Sequence, residues 1–474
     1  MNRKPAAGFL GLAIACLIVL HPLHDSASAQ APKGKGTPKG EGKSKAAAKA
    51  PEGPRGLRLK TDRATPGYVL FSPLTDKTAY LIDVDGKVVR TWTSDFTPSG
   101  YIYLLDNGHV LRGANDPGQS GFSGGGSGGR IQEFDWDGKL VWDFVYNKDR
   151  LPHHDVAVLP NGNIVAVAWE RKTPEEARRA GRRDGFIPAA GVWPDMLVEF
   201  EPQRPSGARI VWEWHSWDHV VASAEAAAHP EKADVNGDLI GITTAPANPP
   251  ADNFHTNSVA YNPRLDQIIL SVPRFNEIWV IDHSTTTAQA AGGAGGKSGK
   301  GGDLLYRWGN PRTYGRGSAA GRLFGFEHDA KWIDEGLPGA GHMLVFSNRG
   351  PGPQGEHTVV YEFAPPVDRN GRYTLPANGP YGPAEPVWTY SAANFNATYI
   401  SGQQRLANGN TLITSGPQGR FFEVTPAGEI VWEYWSEFRG EGGSAGANGA
   451  ANPYSAFRAT KIPPGHPALR RAAQ

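Results

Sequence analysis

One cysteine, Cys16, stands in the whole 474-residue chain, and it lies inside an apolar run near the start. A disulfide-stapled architecture is thereby excluded, and a chain of this length can bury a core that needs no such bridges. Helix-period amphipathic stretches are few, which argues against a helical bundle. The apolar run Gly8–Leu20 is too short to span a bilayer, so no membrane span is expected. The net charge is only +1, and no nucleic-acid partner is expected.

That near-neutral total hides an asymmetry. Arg3 and Lys4, the run Gly8–Leu20 and the small-residue site Ala27-Ser28-Ala29 make residues 1–29 a signal peptide, which implies a periplasmic or secreted protein. Its removal would leave a chain without cysteine. Residues 30–64 read as a disordered basic linker of Lys, Gly, Ala and Pro. Positions 30–60 alone hold nine Lys/Arg against two Glu, a net charge of about +7. It is a solvated spacer able to touch an anionic envelope.

What fills the remainder is a repeat. Short Val/Ile/Trp/Tyr-rich runs bounded by Gly, Pro, Asn and Asp are the mark of an all-β chain. An opening motif recurs at residues 100, 154, 255, 328, 401 and 457, and its spacing fits a four-stranded unit of about 40–50 residues with insertions. A closing motif runs in step: VVRTW, LVWDF, IVWEW, LLYRW, PVWTY and IVWEYW, with Trp142, Trp212 and Trp432 read as blade packing. The first unit lacks an opener and the last lacks a closer, so together they make one unit. Residues 65–470 are therefore expected to form a six-bladed β-propeller, its ring closed by a blade shared between N- and C-terminal strands.

Three openers carry histidine at one repeat position: His154 in HDVAVLPNGN, His255 in HTNSVAYNPR and His328 in HDAKWIDEGL. Equivalent strands of a propeller bring their first residues together at one end of the axis. Asn257, two residues beyond His255, shares its strand face, and Arg274 follows the next strand. His153 should point away from His154. Imidazoles beside an arginine fork suit transfer of a sulfuryl or phosphoryl group through a histidine nucleophile. Tyr399 and Ser401 occupy the matching opener of another blade. The long insertion 216–254 is expected to roof the histidine face, and PEEARRAGRRD at 174–184 to form a short exposed helix.

The stretches HTNSV at 255–259, SVPR at 271–274, EHDA at 327–330 and HDV with its NGN turn at 154–163 resemble the bacterial arylsulfate sulfotransferases, over most of residues 65–465. That resemblance implies a six-bladed propeller needing no phosphosulfate nucleotide, no other cofactor and no metal. It implies small-molecule partners, an aryl sulfate donor and a phenolic acceptor. It makes His328 the residue transiently sulfated, with His154, His255, Asn257 and Arg274 around the sulfuryl group. The N-terminal β-sandwich and the cysteine pair of some members have no counterpart in this sequence.

Two other readings fit the same residues. Three neutral imidazoles are a ligand set for a metal-dependent hydrolase or lyase, although Arg274 disfavours a divalent ion. The same pocket also suits a non-catalytic ligand- or partner-binding propeller. Two look-alikes are set aside. The glycine-rich run 292–302 has Ala291 where a phosphate loop needs Gly, and reads as a flexible loop. The series Asp234, Asn236, Asp238 has Leu239 where a calcium loop needs Gly, and reads as turn chemistry.

Overall fold

The computed structural model describes residues 54–118, 121–352, 355–440 and 452–471. The expected signal peptide at 1–29 and the basic tail up to residue 53 lie outside the described residues. Among the described residues, six antiparallel sheets each carry four propeller strands. Their inner strands are Pro98–Leu104, Leu151–Val158, Ser258–Asn262, His328–Trp332, Gly402–Arg405 and Ala456–Ile462. These match the six openers, and each inner strand packs against that of the next sheet. The fold is an all-β, six-bladed propeller. One sheet draws on both ends of the chain, with Ala456–Ile462 pairing with Tyr68–Pro73, followed by Thr78–Asp83 and Val88–Thr93.

Burial follows position within a blade. Ile164–Trp169 and Gln267–Val272, second strands, are buried along their whole length. They read as continuous apolar runs because both faces meet neighbouring blades. Each such Val, Leu or Ile contributes about 1.5–3 kcal/mol on full burial. Outer strands such as Leu140–Val145 bury only some positions. The tryptophan of each closing motif lies on the outer strand, and its Nε1–H reaches the next blade. Trp92 donates to Asp135 O (3.0 Å), Trp142 to Gly207 O (2.9 Å), and Trp212 to Thr285 Oγ1 (3.1 Å). Trp308 donates to Pro383 O (2.9 Å), Trp388 to Pro426 O (2.8 Å), and Trp432 to Val84 O (2.9 Å).

The expectation of a disordered linker through residue 64 is corrected at its end. Gly56–Lys60 is a strand that pairs with Ile430–Trp435 as a fifth member of that sheet. An outer strand exposes a row of unpaired backbone groups, and this segment satisfies them. Arg58 lies 4.2 Å over the Trp435 ring and Arg55 donates to Ser436 O (2.8 Å), so basic side chains brace the added strand. The helix Pro174–Arg179 forms as expected, with a capping box between Thr173 and Glu176. The run 292–302, expected to be flexible, is pinned: Lys297 N donates to Ser284 Oγ (2.7 Å) and Ser298 N to Asp282 Oδ2 (2.7 Å). Asp234 accepts from Asn236 N (2.9 Å), an Asx turn. None of the helices among the described residues is long and apolar enough to cross a membrane.

Candidate active site

The three histidines meet, by a less regular route than strand alternation. Only His328 opens its strand. His154 lies inside Leu151–Val158, and His255 precedes Ser258–Asn262. Both have left-handed backbones, with φ of 57° and 61°, a region that residues with a Cβ seldom enter. At His154 the kink coincides with a register shift against Ile164–Trp169. It also overrides the alternation that would separate His153 from His154: their Nδ1 atoms lie 2.7 Å apart and share a hydrogen bond. His153 stacks on Trp169 with centroids 4.0 Å apart, and its Nε2 lies 3.2 Å from Asp195 Oδ1.

The rings of His154 and His255 are 4.6 Å apart and nearly perpendicular. Phe457 sits 6.2 Å from both His154 and His328, and Phe326 sits 5.9 Å from His255 and 6.0 Å from His328. Three imidazoles and two phenyl rings thus share one end of the propeller axis. Gly126, at φ 74°, packs so close to His154 that an added Cβ would lie 2.4 Å from its Nε2. The glycine-rich stretch 124–129 therefore covers this side of the cluster.

Each imidazole has a distinct partner at Nδ1. For His328, Nδ1 lies 2.7 Å from Asn348 Oδ1 and 3.2 Å from Phe326 O. Asn348 is itself fixed, its Nδ2 donating to Ala397 O (2.6 Å) and Ile400 O (2.8 Å). Only acceptors face Nδ1, so the proton sits there and Nε2 keeps its lone pair. Burial pushes the His328 pKa down to about 3, against a smaller opposing pull from Asn348. Burial, then the neighbouring His255, His153 and His328, hold His154 well below its ordinary value. His255 Nδ1 is bonded to the Asp252 carboxylate. Burial would raise Asp252, but His255 and Arg274 outweigh it and keep the carboxyl below its usual range.

Arg274 follows strand Gln267–Val272 and borders a cavity of about 230 Å³. Its Nε is buried without a hydrogen-bond partner. Asn257 meets the segment that carries His328. It is buried, and its Nδ2 donates to Glu327 O (2.8 Å), bracing the peptide ahead of His328. Ser401 Oγ is spent on Tyr399 O (3.3 Å) and Gly416 N (3.0 Å), which makes it part of the packing. The insertion 216–254 contributes Asp252 and part of the Arg274 cavity. Among the described residues, no group of three or more His, Cys, Asp or Glu side chains is disposed to hold a metal ion.

Sequence reasoning missed Asp252, Asn348, Phe326, Phe457 and the glycine stretch. An acid three residues before His255 and a seven-residue glycine-serine run were the available signals. Beside the cluster, Arg458 from Ala456–Ile462 pairs with Asp155 Oδ2 (3.0 Å) and Asp329 Oδ1 (3.0 Å), the residues that follow His154 and His328.

Fold and site define a six-bladed propeller with a buried histidine cluster at one end of its axis. The chain belongs to the arylsulfotransferase (ASST) family, whose model matches residues 60–437, and its family-level activity is sulfotransfer. No curated protein matches it. Among solved structures it is similar to a protein of unknown function from Bacteroides caccae, at 11% identity and TM-score 0.44, over 79% of this chain and 95% of that one. It is also similar to virginiamycin B lyase from Staphylococcus aureus, at 12% identity and TM-score 0.38, over 82% and 85%. A third is the β-propeller domain of Cps50 (Swd1) from Myceliophteria thermophila, at 11% identity and TM-score 0.38, over 82% and 92%. At those scores no functional argument follows from the three likenesses.

Proposed function

We propose that this protein moves a sulfuryl group from an aryl sulfate ester to a phenol through a sulfo-histidine at His328. The observation that carries this reading is the lone pair left on His328 Nε2 by Asn348 on the opposite nitrogen. A buried neutral imidazole held in one tautomer is a nucleophile over the whole physiological pH range. In the first half-reaction Nε2 attacks sulfur, an N–S bond forms and the S–O bond to the aryl group breaks. His255, oriented and charge-stabilised by Asp252, gives its Nε2 proton to the leaving phenolate. In the second half-reaction the acceptor phenol loses its proton to His255, its oxygen attacks sulfur and the N–S bond breaks. Arg274 offers its cationic fork to the sulfuryl oxygens, and His154 lines the same space. The signal-like residues 1–29 support export to the periplasm or beyond.

Incubation with 4-nitrophenyl sulfate, alkaline quenching and mass analysis of the peptide containing 324–331 tests the reading. The expected result is a sulfuryl adduct on His328, discharged by added phenol. Unimpaired turnover in His328→Ala would overturn it.

A further inference from the structure

The cavity beside Arg274 carries more positive charge than one sulfuryl group needs. Arg274, Arg312 and Arg322 all line it, together with Asn276, Asn310 and Asp238. Asp238 acts on Arg274 alone among them. Its carboxylate is engaged by both terminal nitrogens of Arg182, one contact being 2.8 Å, with both side chains almost wholly buried. Neither Arg312 nor Arg322 has a carboxylate or aromatic partner among the described residues, and both are half-buried. Three guanidinium groups thus border about 230 Å³ of space; Arg274 faces the charges of Asp238 and Asp252, whereas Arg312 and Arg322 face no carboxylate of their own among the described residues. Cations partly withdrawn from water and left unpaired are costly, so such a constellation suits an anion.

The cavity adjoins the histidines through two residues. Arg274 lines it and also acts on Asp252, the partner of His255. Asn276 lines it and accepts from Phe326 N (3.0 Å), and the Phe326 ring lies beside both His255 and His328. With its Oδ1 so used, Asn276 keeps its Nδ2 for donation. An aromatic ring resting against Phe326 would have its sulfuryl end at His328 and Arg274. A second substituent would then extend toward Arg312 and Arg322.

We infer that the substrates are acidic aryl sulfates, which carry a second anionic group such as a carboxylate, sulfonate or further sulfate held by Arg312 and Arg322. This rests on the sulfotransferase reading above and deepens it. It assigns Arg274 to the transferred group and the other two arginines to substrate selection. Partly solvated charge-assisted bonds of this kind give a preference of roughly tenfold, and the preference weakens with salt.

The test separates binding from turnover. Calorimetric titration of the purified protein with benzene-1,4-disulfonate and with benzenesulfonate should show the former bound roughly tenfold more tightly. The ratio should shrink as sodium chloride is raised, and should fall to about one in Arg312→Gln/Arg322→Gln. Equal affinities in the native protein, or a preference unchanged by salt and by the substitutions, would overturn the inference. In parallel, kcat/KM for 4-carboxyphenyl sulfate should exceed that for its methyl ester by a similar factor. Lack of transfer from every aryl sulfate, with the disulfonate still preferred, would sink the sulfotransferase reading and leave the anion pocket standing.

Discussion

The carboxamide of Asn348 fixes the tautomer of His328. Its Oδ1 accepts from Nδ1 at 2.7 Å, and two backbone carbonyls hold its own Nδ2 so that it cannot turn. The relationship spans neighbouring strands of one blade, and the anchoring carbonyls come from the segment leading into the next. Nucleophile orientation is thus set by inter-blade packing.

Asn348→Ala should therefore lower kcat by about 10–100-fold, the usual cost of losing a partner that orients a histidine, with little change in KM. Asn348→Asp should keep the tautomer but stabilise the imidazolium, moving the acid limb of the pH–rate profile upward. Steady-state kinetics across pH on 4-nitrophenyl sulfate checks both.

Asp252→Asn should impair His255 as proton donor. The loss should be about 10²-fold or more with donors whose phenols are weak acids. It should be clearly smaller with 4-nitrophenyl sulfate, whose leaving group needs little protonation. The slope of log kcat/KM against leaving-group pKa should steepen in the variant, and an unchanged slope would contradict the assignment.

Burial of neutral imidazoles links stability to pH. His328 is pushed down to about 3 and His154 lies well below its ordinary range, whereas in the unfolded chain both titrate near 6.5, as roughly any solvated histidine does. The unfolded state therefore binds protons that the native state refuses. Their contribution is present above about pH 6.5 and is lost as pH falls toward about 3. Thermal midpoints should drop between pH 7 and pH 4, and the drop should be shallower in His154→Asn/His328→Asn.

Arg458→Met should destabilise the fold by about 3–5 kcal/mol, because Asp155 would remain buried without its cation and Asp329 would keep only Lys331, at 2.8 Å. Adding Asp155→Asn and Asp329→Asn should recover much of the loss. Denaturant midpoints of the single and triple variants give the measurement.

Much of this architecture was legible because propeller blades repeat their chemistry. The closing tryptophans recur since each has the same hydrogen bond to make, and the openers recur since each inner strand faces the axis. The local exceptions were hidden. Alternation places His153 and His154 on opposite faces, and a left-handed residue, invisible in composition, brings them together. The strand face shows where Asn257 lies, but the partner of its Nδ2, the Glu327 carbonyl ahead of His328, has no mark in the sequence. Asn348 and Asp252 belong to no repeat position, so nothing local marks them as partners of His328 and His255. The strand Gly56–Lys60 was masked by the basic residues around it, whose charge outweighs two leucines in any compositional reading.

The indole bonds that join every blade to its successor make the molecule a hoop rather than a stack. Trp432 and Trp92 flank the sheet built from both termini, so the seam is riveted on either side by the same fastening used elsewhere around the circumference. A load that opens one joint must also pull on its neighbours. The rim can thus carry variable loops above the histidines without the wheel beneath them changing shape.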